Sequence, residues 1–318
     1  MIISPEILFN ILIAIVLLNF LKDSILNYLN SSYFDKEIPE LINDIYDNEK
    51  YIKSQEYKKT QYKFNRISSI FSLLILLLFF YFDGFLIIDN YSRSLFDSEL
   101  LISLSFFGII YFGNELLNIP FSIYHTFTIE EKFGFNKTTK KTYIIDKLKS
   151  WLLTILFGGG ILSFIILQFE SVGQNFWIVA WVFISVLTIL LNGLYAQIIV
   201  PLFNKQTKLE EGELKNEIEK YSKKVGFKLS NIFVIDGSKR STKANAYFSG
   251  FGKQKRVTLY DTLINKLNKN QIVAVIAHEI GHYKKNHIIF NLLFSIIQTG
   301  MMLYILSLLI YMPIFSES

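Results

Sequence analysis

Apolar residues in this 318-residue chain gather into long blocks rather than the short alternating runs of a soluble protein. The blocks cover 7–21, 67–88, 100–124, 151–167, 176–200 and 288–311. Crossing the ~30 Å of a bilayer's hydrocarbon takes about 20 apolar residues in a helix, so the pattern predicts about six membrane spans. Asn114, Glu115 and Pro120 interrupt the third block, Gly158, Gly159 and Gly160 lie in the fourth, and Pro201 closes the fifth. The first block has no Lys or Arg ahead of it and no small-residue cleavage site after it. It reads as a retained helix rather than a signal peptide.

The polar stretches between blocks have their own periods. Residues 29–66 carry seven acidic and seven basic side chains mixed with Tyr, Ile and Leu, as in a helix packed beside the membrane or a solvated connector. In 204–286, Thr207-x-x-Glu210 has the form of a capping box. Leu214, Ile218, Tyr221 and Val225 follow on one helical stripe that Gly226 stops. Strands are predicted at 231–236, 244–249 and 256–260, the last two joined by a turn over Gly250–Lys255. After Asn270, the proline-free run QIVAVIAHEIGHYKK predicts a helix.

Composition and charge then narrow the class. There is no cysteine, which excludes disulfides, thiolate metal sites and a cysteine nucleophile. The net charge of +5 is a matter of placement. Lys and Arg number 7 in 29–66, 6 in 125–150 and 17 in 204–286, against 1 in 89–99 and none in 169–175 or 312–318. Positive charge stays on the cytoplasmic side of a membrane, so these alternating counts put the three basic segments inside and the C-terminal stub outside. The basic balance is thus a topology signal. No nucleic-acid-binding motif accompanies it, and nucleic acid is excluded as a partner.

The chemistry concentrates in His278-Glu279-Ile280-Gly281-His282, an H-E-x-x-H motif on the last predicted helix before the sixth block. Spacing of i, i+4 puts both imidazoles on one face, one turn apart, where two neutral nitrogens can meet one zinc ion. Glu279 can then reach a water at the metal and act as general base. The plain alternative is an exposed helix with two unrelated histidines. The apolar VAVIA run before the motif argues against it, because buried imidazoles need partners. Gly281, at a helix cost of ~1 kcal/mol, suggests a close approach there. His287, nine residues after His278, faces away if the helix is unbroken. His125 reads as an interfacial histidine. Peptide substrates of zinc proteases commonly add as an edge strand, a role for which Asn245, Ala246, Tyr247 and Phe248 are placed just ahead of the motif helix, although the same residues suit an ordinary hairpin.

Three segments, HEIGHYKKNH, KRSTKANAYFSGFGKQKRVTLYDTLI (239–264) and TFTIEEKFGFNKTT (126–139), together make the chain resemble the type I CaaX prenyl proteases from its first span to about residue 290. That resemblance implies a multi-pass integral-membrane zinc endopeptidase enclosing an intramembrane chamber. It further implies zinc ligation by His278 and His282, catalysis by Glu279 and substrate-backbone contacts around Asn245 and Ala246. The substrates would be peptides or proteins, prenylated or plain, cut near the C-terminus.

The expected class is mainly α, a polytopic helical membrane protein of about six spans with an inserted α+β zincin-type domain. Residues 1–28 would form the first span and 29–66 a juxtamembrane segment. Spans two to five would occupy 67–203, with the basic inside loop 125–150. The cytoplasmic metalloprotease domain would be 204–286, and the sixth span with a truncated end 287–318. The family's third ligand is a Glu on a helix well downstream of the motif. Glu317 falls on the predicted outside, so the chain reads as a C-terminally incomplete copy. The other sources of that ligand are Glu115, Asp236 or another chain. Competing readings are quality-control cleavage of non-prenylated membrane peptides, and an inactive scaffold or transporter.

Overall fold

The computed structural model describes residues 4–40, 43–45, 47–227, 229, 231–250 and 255–316. They form two packed units, 1–133 with 311–318 and 134–310.

In the first unit, α1 (Pro5–Ser31) opens on Ser4, whose hydroxyl accepts from the Ile7 N–H, with Pro5 preset for the first turn. Helix α2 (Asn48–Tyr81) fuses the polar stretch from residue 48 with the second apolar block. That block ends earlier than its hydropathy suggests. Asp83 is left-handed, with φ 52°, and a left-handed residue cannot continue a right-handed helix. The last apolar residues of the block therefore belong to a separate helix, α3 (Gly84–Leu95), which packs on α4 (Glu99–Tyr124). Helix α4 carries Pro120 and runs on into a π-helical turn, His125–Glu130. Phe71 meets Phe121 at 5.0 Å between ring centroids, and Tyr57 meets Phe133 at 5.1 Å. The Tyr57 hydroxyl donates to the buried Glu130 carboxylate.

Among the described residues, five helical stretches are long and apolar enough to cross a membrane: Pro5–Ser31, Asn48–Tyr81, Glu99–Glu130, Lys140–Phe203 and His287–Ile310. The fourth and fifth blocks of the sequence both lie in Lys140–Phe203. There α5 (Lys140–Leu153) passes through a π-helical turn at Thr154–Gly159 into α6 (Gly160–Val172). Gly173, at φ +63°, begins the reversal into α7 (Phe176–Phe203), and Phe164 stacks on Phe183 across the hairpin at 3.9 Å. Large apolar side chains stay exposed along these helices, with Leu18 64% and Phe294 69% accessible. Apolar surface of that extent calls for a lipid solvent.

The second unit also holds a four-stranded sheet ordered β1-β2-β4-β3: β1 (Gln206–Lys208), β2 (Asn231–Ile235), β3 (Ala246–Ser249) and β4 (Arg256–Tyr260). Strand β2 runs parallel to β4, while β1 and β3 pair antiparallel on either side. The capping box expected at Thr207 does not form. Thr207 pairs with Val234 in β1, and α8 (Glu213–Lys224) starts only after Gly212. Helix α8 does bury Ile218, and Gly226, at φ +66°, follows its end as expected. Of the predicted 250–255 turn, residues 251–254 lie outside the described residues.

One sheet face, through Ile232, Val257 and Leu259, makes a core with Ile218, Leu263, Ile272, Ile276 and Ile280. The other face sets Ile235, Tyr247 and Tyr260 against Ala196 and Val200 of α7. Burial on this side pushes the Tyr247 and Tyr260 phenols up and the Arg256 guanidinium down.

After α9 (Asp261–Lys266) comes the motif helix, α10 (Lys269–Lys284). Its start is a full capping box. The Asn268 Oδ1 accepts from Gln271 N, and the Gln271 Oε1 accepts from Asn268 N, both at 3.0 Å. Asn268→Ala is expected to cost about 1 kcal/mol, read as a lowered thermal midpoint in detergent with the helix content of the folded protein unchanged.

Candidate metal centre and its edge strand

Helix α10 is oriented by its isoleucines. Ile272, Ile276 and Ile280 recur every four residues and are at most 2% exposed, so that face is committed to the core. Contrary to the burial expected from the apolar run before the motif, His278 and His282 project from an exposed face, because the core takes up the isoleucine face instead, and Glu279 is half-buried. The two imidazoles converge, with Nε2 of His278 3.0 Å from Nε2 of His282. Two nitrogens each about 2.0–2.1 Å from one tetrahedral zinc ion stand roughly 3.3 Å apart, so the pair fits a shared ion with little adjustment. Among the described residues no group of three His, Asp or Glu side chains is gathered to complete a metal site.

The other ligand candidates are occupied or lie elsewhere. The Asp236 Oδ1 accepts from the Lys205 N–H at 2.7 Å, fastening the start of β1 to the end of β2. Glu115 sits on α4 of the first unit, where the Asn118 amide donates to the Asn114 carbonyl at 2.8 Å and to its side chain at 3.0 Å. His125 stands 3.9 Å from the Glu130 carboxylate. Glu317 lies outside the described residues. Beyond its chain neighbours and its own helix backbone, no described residue comes within 4 Å of a Cβ placed on Gly281, so the close approach expected there is not made by the described residues.

His287 is the main departure from the sequence reading, which turned it away on an unbroken helix. The helix breaks. Lys285 caps α10, Asn286 takes the left-handed conformation at φ 57°, and α11 (His287–Ile310) starts at once. The Asn286 N–H donates to the Tyr283 carbonyl, and its own carbonyl accepts from Phe290 N. The fold-back brings His287 Nδ1 to 2.8 Å from His282 Nδ1. The signal was present, since Asn just past a helix end is a left-handed cap.

Strand β3 lies at the sheet edge and packs beside α10. The Asn245 carbonyl accepts from Tyr260 N. By antiparallel alternation the N–H and C=O of Ala246 and Phe248 then point to the open edge, and the Asn245 Oδ1 covers the Ala246 N–H at 2.9 Å. The side chains of this predicted substrate segment are spent on packing. Ala246 and Phe248 join the α10 core, and Tyr247 joins the α7 face. What β3 can offer a peptide is backbone.

Ahead of β3, Arg240 anchors the approach loop. Its guanidinium donates to both Asp146 oxygens at 2.6 and 2.8 Å, to the Phe203 carbonyl at 2.7 Å and to the Asn204 Oδ1 at 2.7 Å. The neighbouring backbone pairs with 134–138, through Lys137 N to the Arg240 carbonyl and Thr242 N to the Phe135 carbonyl.

Helices of membrane-crossing length, a small mixed sheet and an H-E-x-x-H helix beside its edge strand define a multi-pass membrane protein of metallopeptidase type. Comparison with known proteins carries this to a family. Residues 27–205 match the CAAX prenyl protease N-terminal domain of five membrane helices, and residues 208–315 match peptidase family M48. CAAX prenyl protease 1 of Saccharomyces cerevisiae is 38% identical over 288 residues, covering 86% of this chain and 64% of that protein. The Dictyostelium discoideum homologue is also 38% identical, over 92% of this chain and 69% of its own length. A crystal structure of S. mikatae Ste24p superposes with a TM-score of 0.85 at 39% identity, over 91% of this chain and 70% of that one. The chain belongs to the CAAX prenyl protease family of M48 peptidases, and it spans about two thirds of these relatives' length.

Proposed function

We propose that this protein is a membrane-embedded, zinc-dependent endopeptidase that cuts CaaX-type protein ends on the cytoplasmic side. The observation that carries the reading is the 3.0 Å approach of the two Nε2 atoms on a helix that packs beside an open-edged strand. His278 and His282 hold the zinc, with a carboxylate as the family's further ligand. Bound there, zinc supplies Lewis-acid polarisation of a carbonyl and acidifies water towards pKa ~7. Glu279 takes the proton as the water oxygen attacks the scissile carbonyl carbon. It returns that proton to the amine nitrogen as the C–N bond breaks, and the water's second proton passes from the new carboxylic acid to the amine, leaving a carboxylate and an ammonium group. The outward carbonyl of Ala246 and the outward N–H and C=O of Phe248 hold the substrate as an added strand, which fixes its register without reading its side chains. Prenyl selectivity would then come from the apolar helices rather than from β3.

The test compares a farnesylated CaaX-ended peptide with the same peptide unprenylated, using purified protein before and after chelation. Zinc-dependent cleavage, restored by added zinc and faster on the farnesylated peptide, is the expected result. Equal rates on both peptides would remove the prenyl-specific part and favour general membrane proteolysis. Cleavage indifferent to chelation would remove the zinc mechanism.

A further inference from the structure

The contact between His282 and His287 extends the site by one residue. His282 uses its two ring nitrogens on two sides, with Nε2 towards His278 Nε2 at 3.0 Å and Nδ1 towards His287 Nδ1 at 2.8 Å. A neutral imidazole carries one N–H and one lone pair. For His282 to ligate through Nε2, that nitrogen must supply the lone pair, and the proton must sit on Nδ1. The proton then points along the 2.8 Å contact, and His287 Nδ1 is the acceptor. His287 carries its own proton on Nε2.

We propose that His287 is a positioning residue for the zinc ligand His282, fixing both its tautomer and its ring orientation. The inference rests on the zinc reading above. His287 is not itself a third ligand, because it meets His282 on the ring nitrogen opposite the one that faces His278. The rings stand 4.9 Å apart at 71°, an arrangement for a nitrogen-to-nitrogen hydrogen bond rather than stacking. Such outer partners of metal-bound histidines are ordinarily carboxylates, carbonyls or water. Here the partner is the first residue of α11, set in place by the left-handed Asn286. Among the described residues His278 has no comparable hydrogen bond on its other nitrogen, so the two ligands are held unequally.

The experiment measures zinc affinity of the purified protein by competition with a chromophoric chelator, with the melting of the metal-free protein as a control. His287→Ala should weaken zinc binding about 10–100-fold, the usual cost of losing such a partner. His287→Asn places an amide oxygen near the lost Nδ1 and should restore most of the affinity. The metal-free melting point should be the same in all three proteins. Unchanged affinity in His287→Ala overturns the inference, as does equal weakening in His287→Asn. His278→Ala separates the two readings: if it binds zinc as well as wild type, the zinc site itself is wrong. If it loses zinc while His287→Ala keeps it, only the positioning role is wrong.

Discussion

Glu279→Gln is expected to slow peptide cleavage by about 10²–10⁴-fold, the usual worth of a positioned general base, while bound zinc stays at the wild-type level. Gln keeps the size of Glu but cannot accept and return a proton. Glu279 is half-buried on α10, next to His278, and no hydrogen bond or ion pair ties up its carboxylate among the described residues. The change should therefore cost activity without costing the fold. Paired measurements decide it, turnover of the farnesylated peptide against zinc content by elemental analysis. Wild-type turnover would remove Glu279 from the mechanism. Low turnover accompanied by lost zinc would make it a structural support of the site instead.

Arg240→Ala is expected to have the largest effect on stability, about 3–5 kcal/mol, because removing one partner strands the other. Arg240 and Asp146 each keep only 23% of their side-chain surface accessible, so solvent screens the pair weakly. One planar group serves four acceptor atoms on α5, at the end of α7 and just past it. A lysine has neither the fork nor the reach to serve them together, so Arg240→Lys should recover little. The measure is the thermal midpoint in detergent. Asp146→Ala in the same chain should add much less than its separate cost, since the two changes break one contact. Full additivity would mean that the ion pair does not organise this region.

The membrane helices and the site helix were legible because their signals are local. Twenty apolar residues announce a span whatever surrounds them, and the spacing of His278 and His282 suffices to make them neighbours. Strands β2, β3 and β4 were legible for the same reason. What escaped depended on partners far along the chain or on one backbone angle. Strand β1 exists because β2 offers Thr207 an edge, and nothing in the local sequence outweighed its likeness to a helix cap. The second apolar block looked continuous to residue 88, yet the left-handed Asp83 divides it. The same kind of break at Asn286 reversed the expected direction of His287. Arg240 finds Asp146 across 94 residues, a pairing that no periodicity encodes.

The two-residue link between α10 and α11, Lys285 and Asn286, bears on how the proposed substrate would be found. The link leaves little slack, so the motif helix hands over directly to a helix of membrane-crossing length. At about 1.5 Å per helical residue, His282 stands within two turns of where that helix begins. If the proposed lipid-anchored substrate is the right one, its chain end would meet a site next to such a helix by searching a plane rather than a volume. The tether would then set its effective concentration at the site, and under the proposed function weak backbone contacts along β3 would suffice to hold it.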